Sequence, residues 1–432
     1  MRTDVYVLNQ NLELVAIVDA YKSLIWANRY WDVGDCELYL PATTENLRFL
    51  KIGFYLMRTD DSMVCRIKRI EIDTDAENGN YLIVNGEDTK SYLDQRIIWG
   101  TATCKGKAEV FLRRIVDSSL INASLAFRNL IKPNGGKLLK LGTLASLPDV
   151  ASEQMSYKNI GEKTREFCRA FGWGYRFIFD VVANVPCLAF ELYNGTDKRN
   201  EVFFSPDYEN LASTKYILDK TNIGNVALCA GEGEGAKRTR STVGYAEGTG
   251  RFEIYVDAKD ISKEITWAEL TEDYPGGTLE ASGAVYNYKV SSVDIQIFSA
   301  DQRAWLTANY PAGQVVTVDG VEYYRITNAV LATVPDANPD DSTLVTIKDL
   351  VYIPYLLNRG VDAFAEYGTT ETFEGSVIPD VTFVYGRDYA LGDVVTVQNE
   401  YGIEAAARIV EVVEVIDDNG SRIEPKFESI TR

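Results

Sequence analysis

The stretch Cys36-Glu37-Leu38-Tyr39-Leu40 places apolar side chains at alternate positions. This period of two is typical of a strand that buries one face. The same period recurs on either side of it, in Asp4–Leu8, Phe54–Met57, Val64–Ile67 and Tyr81–Val84. Turn-forming residues such as Val33-Gly34-Asp35 separate these runs. We therefore predict consecutive antiparallel strands from Val5 to about residue 100, in a small barrel or sandwich.

The period changes after Gly106. Phe111, Leu112 and Ile115 recur at helical spacing and predict a helix within Lys107–Asn122. A second helix is predicted over Asn159–Phe171. Its N-cap is Asn159, and Gly172 ends it. Strand-like runs then return up to about residue 270, so the middle of the chain is predicted to be α+β.

Pro275-Gly276-Gly277 marks a boundary, and more strand-like sequence follows it over residues 278–348, including Val293–Phe298. A helix is predicted over Val351–Tyr367, with its start near Pro354. Alternation resumes at the C-terminal end, in Val381–Tyr385, Asp393–Val397 and Ala407–Val415. The fold class predicted from these patterns is α+β, mostly antiparallel β.

Charge and histidine content exclude several functions. The chain has 44 Lys and Arg residues against 63 Asp and Glu residues, which gives a formal net charge of −19. Such a chain repels phosphate backbones and anionic lipid head groups, so we expect no specific nucleic-acid binding. The sequence has no histidine. Ser-His-Asp triads, Cys-His dyads and His-ligated metal sites are therefore excluded.

The cysteines are scattered, without a Cys-x-x-Cys pair, and we expect buried thiols in a reducing compartment. The six are Cys36, Cys65, Cys104, Cys168, Cys187 and Cys229. The opening residues alternate instead of forming a basic and apolar leader, and no run of about 18 apolar residues occurs. We expect no targeting segment and no stable membrane insertion.

Three loops superficially resemble ligand sites. Gly231–Lys237 is rich in glycine but departs from the phosphate-loop pattern, and a flexible hairpin connection is the preferred interpretation. Asp73–Gly79 resembles the start of a calcium loop, yet Val84 stands where a bidentate Glu is needed. Asp336–Asp341 offers the same weak calcium option, and solvated turns explain both better. We assign no catalytic, cofactor-binding or metal-binding residue, and no cofactor.

Several segments, taken in order, carry a family resemblance. They begin with Ser23–Trp26 and Arg29–Pro41. The later ones are Tyr81–Gly86, Leu93–Trp99, Tyr193–Asp197, Val202–Ser205, Asn210-Leu211, Asn225–Gly233, Arg251–Glu253, Tyr389-Ala390-Leu391-Gly392-Asp393-Val394-Val395, Arg408–Val412 and Glu424–Phe427. Together they resemble the tail-associated (Tal-like) baseplate hub proteins of long-tailed bacteriophages that infect Gram-positive hosts.

The resemblance implies a homotrimeric hub that closes the tail tube. Each subunit would contribute two tube-like β-barrel domains, so that three chains present a pseudo-six-fold ring to the distal tail protein or the tail tube protein. The other implied partners are the tape measure protein and tip fibre or receptor-binding proteins. The implied location is the tail tip of the virion, after synthesis in the host cytoplasm.

The resulting domain prediction has four segments. Residues 1–105 form an N-terminal β-barrel-like domain, and residues 106–272 form an α+β middle domain. Residues 273–348 form a β-rich inserted domain, and residues 349–432 add a helix and C-terminal strands that complete the second barrel. In this topology the two distant ends of the chain pair with each other.

The predicted function is structural, without catalysis. The hub would adapt the six-fold tube to three-fold tip components and give passage to the tape measure and DNA. A carbohydrate-binding or carbohydrate-cleaving tail-tip protein, using carboxylates and aromatic side chains, is the alternative. A component of a contractile or secretion-like injection machine is a third hypothesis.

Overall fold

Antiparallel strands dominate the computed structural model, which describes residues 3–75, 79–297, 300–318, 320–364, 366–378, 382–418 and 420–430. The strands of the N-terminal quarter are β1 (Val5–Leu8), β2 (Leu14–Val18), β3 (Ser23–Arg29), β4 (Asp35–Pro41), β5 (Tyr55–Met57), β6 (Val64–Asp75), β7 (Gly79–Asp88) and β8 (Thr101–Lys107). Those of the middle are β9 (Leu139–Leu141), β10 (Val150–Ser156), β11 (Gly174–Val182), β12 (Val185–Tyr193), β13 (Phe203–Phe204), β14 (Leu211–Asp219), β15 (Val226–Ala230), β16 (Arg240–Val243), β17 (Glu253–Asp257) and β18 (Glu264–Thr266). The remaining strands are β19 (Thr278–Ser282), β20 (Val285–Gln296), β21 (Gln314–Val318), β22 (Val321–Val334), β23 (Leu344–Ile347), β24 (Thr370–Val377), β25 (Val394–Gln398), β26 (Glu404–Asp417) and β27 (Gly420–Ser429).

The α-helices are α1 (Thr44–Phe49), α2 (Ala108–Val116), α3 (Ile160–Phe171), α4 (Trp267–Asp273), α5 (Ala300–Asn309) and α6 (Asp349–Ala363). Helix α3 forms as its sequence predicts. The Asn159 side chain accepts a hydrogen bond from the Glu162 N–H, and Gly172 ends the helix in the left-handed conformation. Helix α2 is likewise confirmed and runs into one π-helical turn, Asp117–Ile121. No helix in the described ranges is long and apolar enough to span a membrane.

The largest sheet joins the two ends of the chain. Its order is β14-β24-β27-β26-β3-β4-β7-β6-β5-β1-β2, with β25 also paired to β26 and β13 paired to β25. Strand β26 pairs antiparallel with β3, so that Val413 lies opposite Ala27. The predicted pairing of the distant chain ends is confirmed by this contact. Within the described residues, β14 and β2 lie at opposite ends of the order, and the sheet does not close. The two tube-like barrels therefore stay a prediction.

A second sheet comes from one continuous part of the chain. It has the order β18-β23-β22-β20-β19, with β21 paired to β22. The long strands β20 and β22 form its centre and pair antiparallel from Tyr286↔Val334 to Gln296↔Tyr323. These strands all lie between Glu264 and Ile347. This sheet is therefore made of local contacts, whereas the first one depends on pairing across the whole length of the chain.

Buried apolar side chains form three cores. The first lies within the N-terminal strands, and Ile416 of β26 joins Trp26 and Leu38 there. The second belongs to residues 227–357 and surrounds α6. The third joins α2 and α3 to strands from both ends of the chain, through side chains such as Phe204 and Phe427. Burial on this scale is the main term favouring folding.

The structure departs from the sequence prediction at α6. The sequence places the helix start near Pro354, but α6 begins at Asp349 and Pro354 lies inside it. The missing N–H of Pro354 costs the helix only one bond, to a carbonyl in its first turn. The helix ends at Ala363, before the predicted Tyr367. Within the predicted helix range, residue 365 lies outside the described residues.

The strand predicted over Val381–Tyr385 does not form in the described residues of this range, which exclude Val381. The Asp388 carboxylate accepts a 2.7 Å hydrogen bond from the Val384 N–H, and the Gly386 N–H donates to the Tyr389 carbonyl. These bonds close a turn. Such side-chain bonds to nearby backbone compete with strand pairing and outweigh the apolar pattern. Phe298, the end of another predicted strand, lies outside the described residues.

Candidate functional site

Four of the segments that carry the family resemblance meet around Tyr30. The Tyr30 hydroxyl donates to the Gly172 carbonyl at 3.1 Å and accepts from the Gly195 N–H at 3.3 Å. The guanidinium of Arg408 lies 5.3 Å from the ring centre. Burial raises the pKa of Tyr30 to about 12, so the hydroxyl remains neutral and can both donate and accept. We call this meeting point, defined by Tyr30, Gly195, Gly392 and Asp393, the Tyr30 junction.

Two glycines of the Tyr30 junction leave no room for a side chain. A Cβ on Gly195 would lie 1.8 Å from the Gly392 carbonyl oxygen. A Cβ on Gly392, which has φ +94°, would lie 2.2 Å from the Tyr30 ring. Glycine is needed here because backbone approaches backbone and ring directly, and Gly392 also takes a left-handed conformation.

Asp393 completes the junction from the β25 side. Its carboxylate accepts from the Thr196 N–H at 2.8 Å and from the Ala390 N–H at 2.9 Å. The Lys198 ammonium lies 3.4 Å from the same carboxylate. Because Asp393 is buried, these charge-assisted bonds hold the two loops in one relative position. The Leu-Gly-Asp segment therefore has a structural role in this fold.

A second junction is built from charges. The Arg359 guanidinium, on α6, lies 3.0 Å from Glu153 Oε1 and 3.2 Å from Asp260 Oδ1. It also donates to the Gln154 carbonyl at 2.6 Å. The carboxylates raise the pKa of Arg359 despite its burial, which opposes the rise. We call Arg359, Glu153, Asp260 and Asp362 the Arg359 cluster. It joins α6 to β10 and to the loop before β18.

Within the Arg359 cluster the carboxyl group of Asp362 lies beside that of Glu153. Burial raises the pKa of Asp362 well above its usual range, and the neighbouring charge of Glu153 raises it further. Within the described residues, the buried Glu153 Oε2 has no hydrogen-bond partner. The raised pKa favours the neutral form of Asp362, which can donate a hydrogen bond to this oxygen.

The cysteine prediction is confirmed in its structural part, because all six side chains are free and buried. Burial raises the pKa of Cys168 and of Cys65, and it raises the pKa of Cys104 to about 12. Thiolates are the reactive form of cysteine, so these groups are poor nucleophiles near neutral pH. The described residues contain no group of three or more acidic, cysteine or histidine side chains placed to hold a metal ion.

The Gly231–Lys237 loop is the predicted hairpin connection, between the antiparallel strands β15 and β16. Its backbone groups are used internally. The Gly231 N–H donates to the Thr239 carbonyl, and the Glu232 N–H donates to the Tyr352 hydroxyl at 2.6 Å. The Arg238 guanidinium donates to the Gly231 carbonyl at 2.8 Å. The N–H groups of Gly231 and Glu232, at the start of the loop, are therefore occupied.

The two acidic loops also connect strands. Asp73–Gly79 joins β6 to β7, and residues 76–78 lie outside the described part of the chain. In Asp336–Asp341, the Asp340 carboxylate accepts from the Ser342 N–H at 3.0 Å and from the Ser342 hydroxyl at 2.8 Å. The hydroxyl bonds lower the pKa of Asp340. This carboxylate stabilises its own turn.

A cleft of about 540 Å³ lies between α5 and strand β22 of the second sheet. Trp305 and Tyr310 line it with ring centres 6.0 Å apart and nearly perpendicular. Asn309, Asn328 and Asp349 supply polar groups to its wall. Asn328 has φ +51° within β22, a conformation that non-glycine residues seldom adopt. The volume is in the range of small-molecule sites. No sequence pattern had pointed to this cleft, because its residues come from three elements.

Comparison with solved structures finds phage tail proteins at low identity. A tail protein from Neisseria meningitidis MC58 is 9% identical, with 99% of this chain and 97% of that chain covered and a TM-score of 0.48. The 43 kDa tail protein of prophage MuSo2 from Shewanella oneidensis is 9% identical, with 98% of each chain covered and a TM-score of 0.48. The prophage tail protein gp18 from Listeria monocytogenes EGD-e is 12% identical, with 100% of this chain and 95% of that chain covered and a TM-score of 0.47.

The comparison with curated proteins finds no match. A family model gives the assignment. The model described as Siphovirus ReqiPepy6 Gp37-like protein matches residues 4–427, which is nearly the whole sequence. The resemblance to proteins of long-tailed phages is thereby confirmed at the level of a siphovirus family, and the chain belongs to the Siphovirus ReqiPepy6 Gp37-like protein family.

Proposed function

We propose that the chain is a structural component of a phage tail, and specifically the homotrimeric hub at the tail tip. The observation that carries the proposal is the family match over residues 4–427. The sequence segments that resemble tail-associated hub proteins support it. In this proposal the chain closes the tail tube, adapts its six-fold symmetry to three-fold tip components, and performs no catalysis.

The architecture suits a rigid component. The largest sheet unites both ends of the chain through the β3–β26 pairing, and the Tyr30 junction and the Arg359 cluster connect distant segments. A part that transmits force along a tail needs such long-range connections, since packed interiors resist deformation. We further propose that the open sheets of three copies form the two tube-like barrels of each subunit within a ring. The host is proposed to be Gram-positive.

The net charge of −19 fits a channel for DNA. Carboxylates along a lumen would repel the phosphate backbone and prevent it from sticking during passage. The proposed neighbours are the distal tail protein or tube protein, the tape measure protein and the fibre or receptor-binding proteins. A high-resolution structure of the assembled ring with neutral or basic lumen walls would remove the electrostatic part of this proposal.

The test of the hub function is the position of the chain in the virion. Gold-labelled antibodies against this chain should bind intact particles at the tip of the tail, and antibodies against the major tube protein serve as the control. Label confined to the head or along the whole tail, or no label on particles that are labelled by the control, would contradict the hub assignment.

A saccharide-binding function is the second candidate, and the cleft beside α5 favours it. Perpendicular aromatic rings next to amide and carboxylate groups suit a sugar, which has apolar C–H faces and a rim of hydroxyls. The discriminating measurement is saturation-transfer NMR of the purified chain with chitobiose, maltotriose and host wall glycan fragments. Signals that disappear in Trp305→Ala and in Asn309→Ala would support this candidate. The absence of signals for all three probes would exclude it.

A further inference from the structure

One part of the surface carries apolar side chains together with cations. Trp99 and Phe127 are 53% and 75% exposed, and their ring centres lie 6.3 Å apart. Ile97 and Leu125 beside them are also exposed. Exposed aromatic residues next to arginine are the composition of interface hot spots. We call Arg96, Ile97, Trp99, Leu125, Phe127 and Arg128 the basic aromatic patch.

The two arginines of the basic aromatic patch lack a counter-charge. The Arg128 guanidinium lies 4.5 Å from the Trp99 ring centre and donates to the Ile97 carbonyl at 2.6 Å. Arg96 Nε donates to the Arg128 carbonyl at 3.1 Å. Neither pairs with a carboxylate in the described part of the chain. Desolvation lowers the pKa of Arg128, and repulsion from Arg96 adds to this effect. Arg96 is partly exposed, whereas Arg128 is only 9% exposed. A carboxylate brought by a partner would therefore pair with Arg96 and reduce its repulsion of Arg128.

A second part of the surface carries exposed aromatic side chains together with carboxylates. Tyr208 and Tyr401 are 61% and 82% exposed. They lie on two loops that follow the paired strands β13 and β25, and a contact between Ser205 Oγ and Gln398 Oε1 at 3.4 Å keeps these loops together. We call Asp207, Tyr208, Glu209, Glu400 and Tyr401 the acidic tyrosine patch.

The carboxylates of the acidic tyrosine patch are likewise without counter-charge. Asp207, Glu209 and Glu400 are exposed, and none of them forms an ion pair with a cation of the described residues. The Thr214 hydroxyl donates to Glu400 at 2.5 Å and thereby lowers the pKa of that carboxyl. The patch is therefore negatively charged at neutral pH, with two large rings standing out from it.

We propose that the basic aromatic patch of one copy of this chain docks on the acidic tyrosine patch of the next copy. Both surfaces belong to the same chain, and they complement each other in charge and in exposed aromatic area. Two different surfaces that bind each other give a heterologous contact, which closes into a ring when the rotation between copies allows it. The inference rests on the proposed function, because a ring hub requires contact between copies.

The test measures self-association of the full chain by light scattering over a dilution series. Two variants each reverse one patch: Arg96→Glu/Phe127→Ser and Asp207→Lys/Glu400→Lys. Each should weaken association at least about 30-fold, which corresponds to the ~2 kcal/mol of a hot spot. Lys237→Glu, on an exposed loop elsewhere, is the matched control and should associate like the original chain. Circular dichroism melting confirms that each variant folds.

The combined variant Arg96→Glu/Asp207→Lys/Glu400→Lys separates a direct contact from a general charge effect. If the two patches meet, this variant exchanges their charges and should regain at least about tenfold of the lost association. Variants that remain fully associated would overturn the proposal while leaving the hub function untouched. A chain that stays monomeric throughout the dilution series would overturn it too. The hub function fails with it only if the chain also stays monomeric when the neighbouring tail protein is added, or if the gold label is absent from the tail tip. Patch variants that keep their self-association but lose binding to another tail protein would also overturn it.

Discussion

The Tyr30 junction and the Arg359 cluster both connect distant segments, but they do so by different physics. The Tyr30 junction depends on direct contact between two glycines and a neutral ring, with Gly195 too close to Gly392 for any Cβ. The Arg359 cluster depends on buried charges, with one guanidinium between Glu153 and Asp260. The glycine–ring contact of the Tyr30 junction should be sensitive to added volume and insensitive to pH, whereas the charged part of that junction lies at Asp393 and Lys198. The Arg359 cluster should respond to any change in charge, including protonation.

The largest expected effect is that of added volume at the Tyr30 junction. Gly195→Ala places a methyl group 1.8 Å from a backbone oxygen, so the free energy of unfolding should fall by at least about 3 kcal/mol. The control is Gly250→Ala, where a Cβ meets nothing within 4 Å, and which should change it by no more than about 0.5 kcal/mol. Urea denaturation measures both. Equal effects of the two substitutions would mean that the backbone contact between Gly195 and Gly392 can accommodate a side chain.

Removal of the charge at the centre of the Arg359 cluster should rank next. Arg359→Met leaves the buried Glu153 without its cation and leaves Asp260 with only the Lys158 ammonium, 3.9 Å away. We expect a loss of about 3 kcal/mol in the free energy of unfolding. Arg325→Met removes an exposed ion pair with Asp294 and should cost less than about 1 kcal/mol. Thermal and urea unfolding of both variants give the comparison. If Arg359→Met proves as mild as Arg325→Met, the cluster does not connect α6 to β10.

The pH response should distinguish the two junctions. The pKa of Asp362 is raised in the folded chain, so the folded state binds more protons than the unfolded state once the pH exceeds the normal aspartate range. This contribution to stability is complete below about pH 4 and is lost as pH rises through the raised pKa. Asp362→Asn should remove that decline. Urea midpoints at several pH values from 5 to 8 measure it, and parallel curves for variant and original chain would contradict the raised pKa of Asp362.

The smallest expected effect is the loss of one hydroxyl. Tyr30→Phe removes the bonds to Gly172 and Gly195 and should lower the free energy of unfolding by about 1 kcal/mol, equally at every pH from 5 to 8. Tyr255→Phe, at an exposed position, should change it by less than about 0.5 kcal/mol. A pH-dependent loss in Tyr30→Phe would show that the Tyr30 hydroxyl is coupled to a charged group of the junction, such as Asp393 or Arg408.

Local features of the fold could be predicted from the sequence. The Asn159 cap, the Gly172 end and the helical spacing of Phe111 and Ile115 act within a few residues, and α2 and α3 form accordingly. The strand prediction from the apolar run Val381–Tyr385 was wrong for the described residues, because Asp388 closes a turn there. The short strand β9 and the edge strand β8 carry too little alternation to be recognised.

The junctions and surfaces could not be predicted in the same way. The Tyr30 junction joins residues more than 160 positions apart in the chain, so its geometry exists only after folding. The resemblance segments contain Tyr30, Gly195 and Gly392, but nothing in their spacing shows that they meet. The exposure of Phe127 and Tyr401 likewise depends on which neighbours fold over them. The sequence identifies the residues, and the packing decides their roles.

The most direct test of the central claim, that this chain forms a ring-shaped structural hub, is its mass in solution. Size-exclusion chromatography with light scattering should give about 145 kDa, three times the 48.3 kDa of one chain, and negative-stain images of the same peak should show a ring with a central hole. A 48.3 kDa species without rings, persisting at high concentration and after addition of the neighbouring tail protein, would contradict the account.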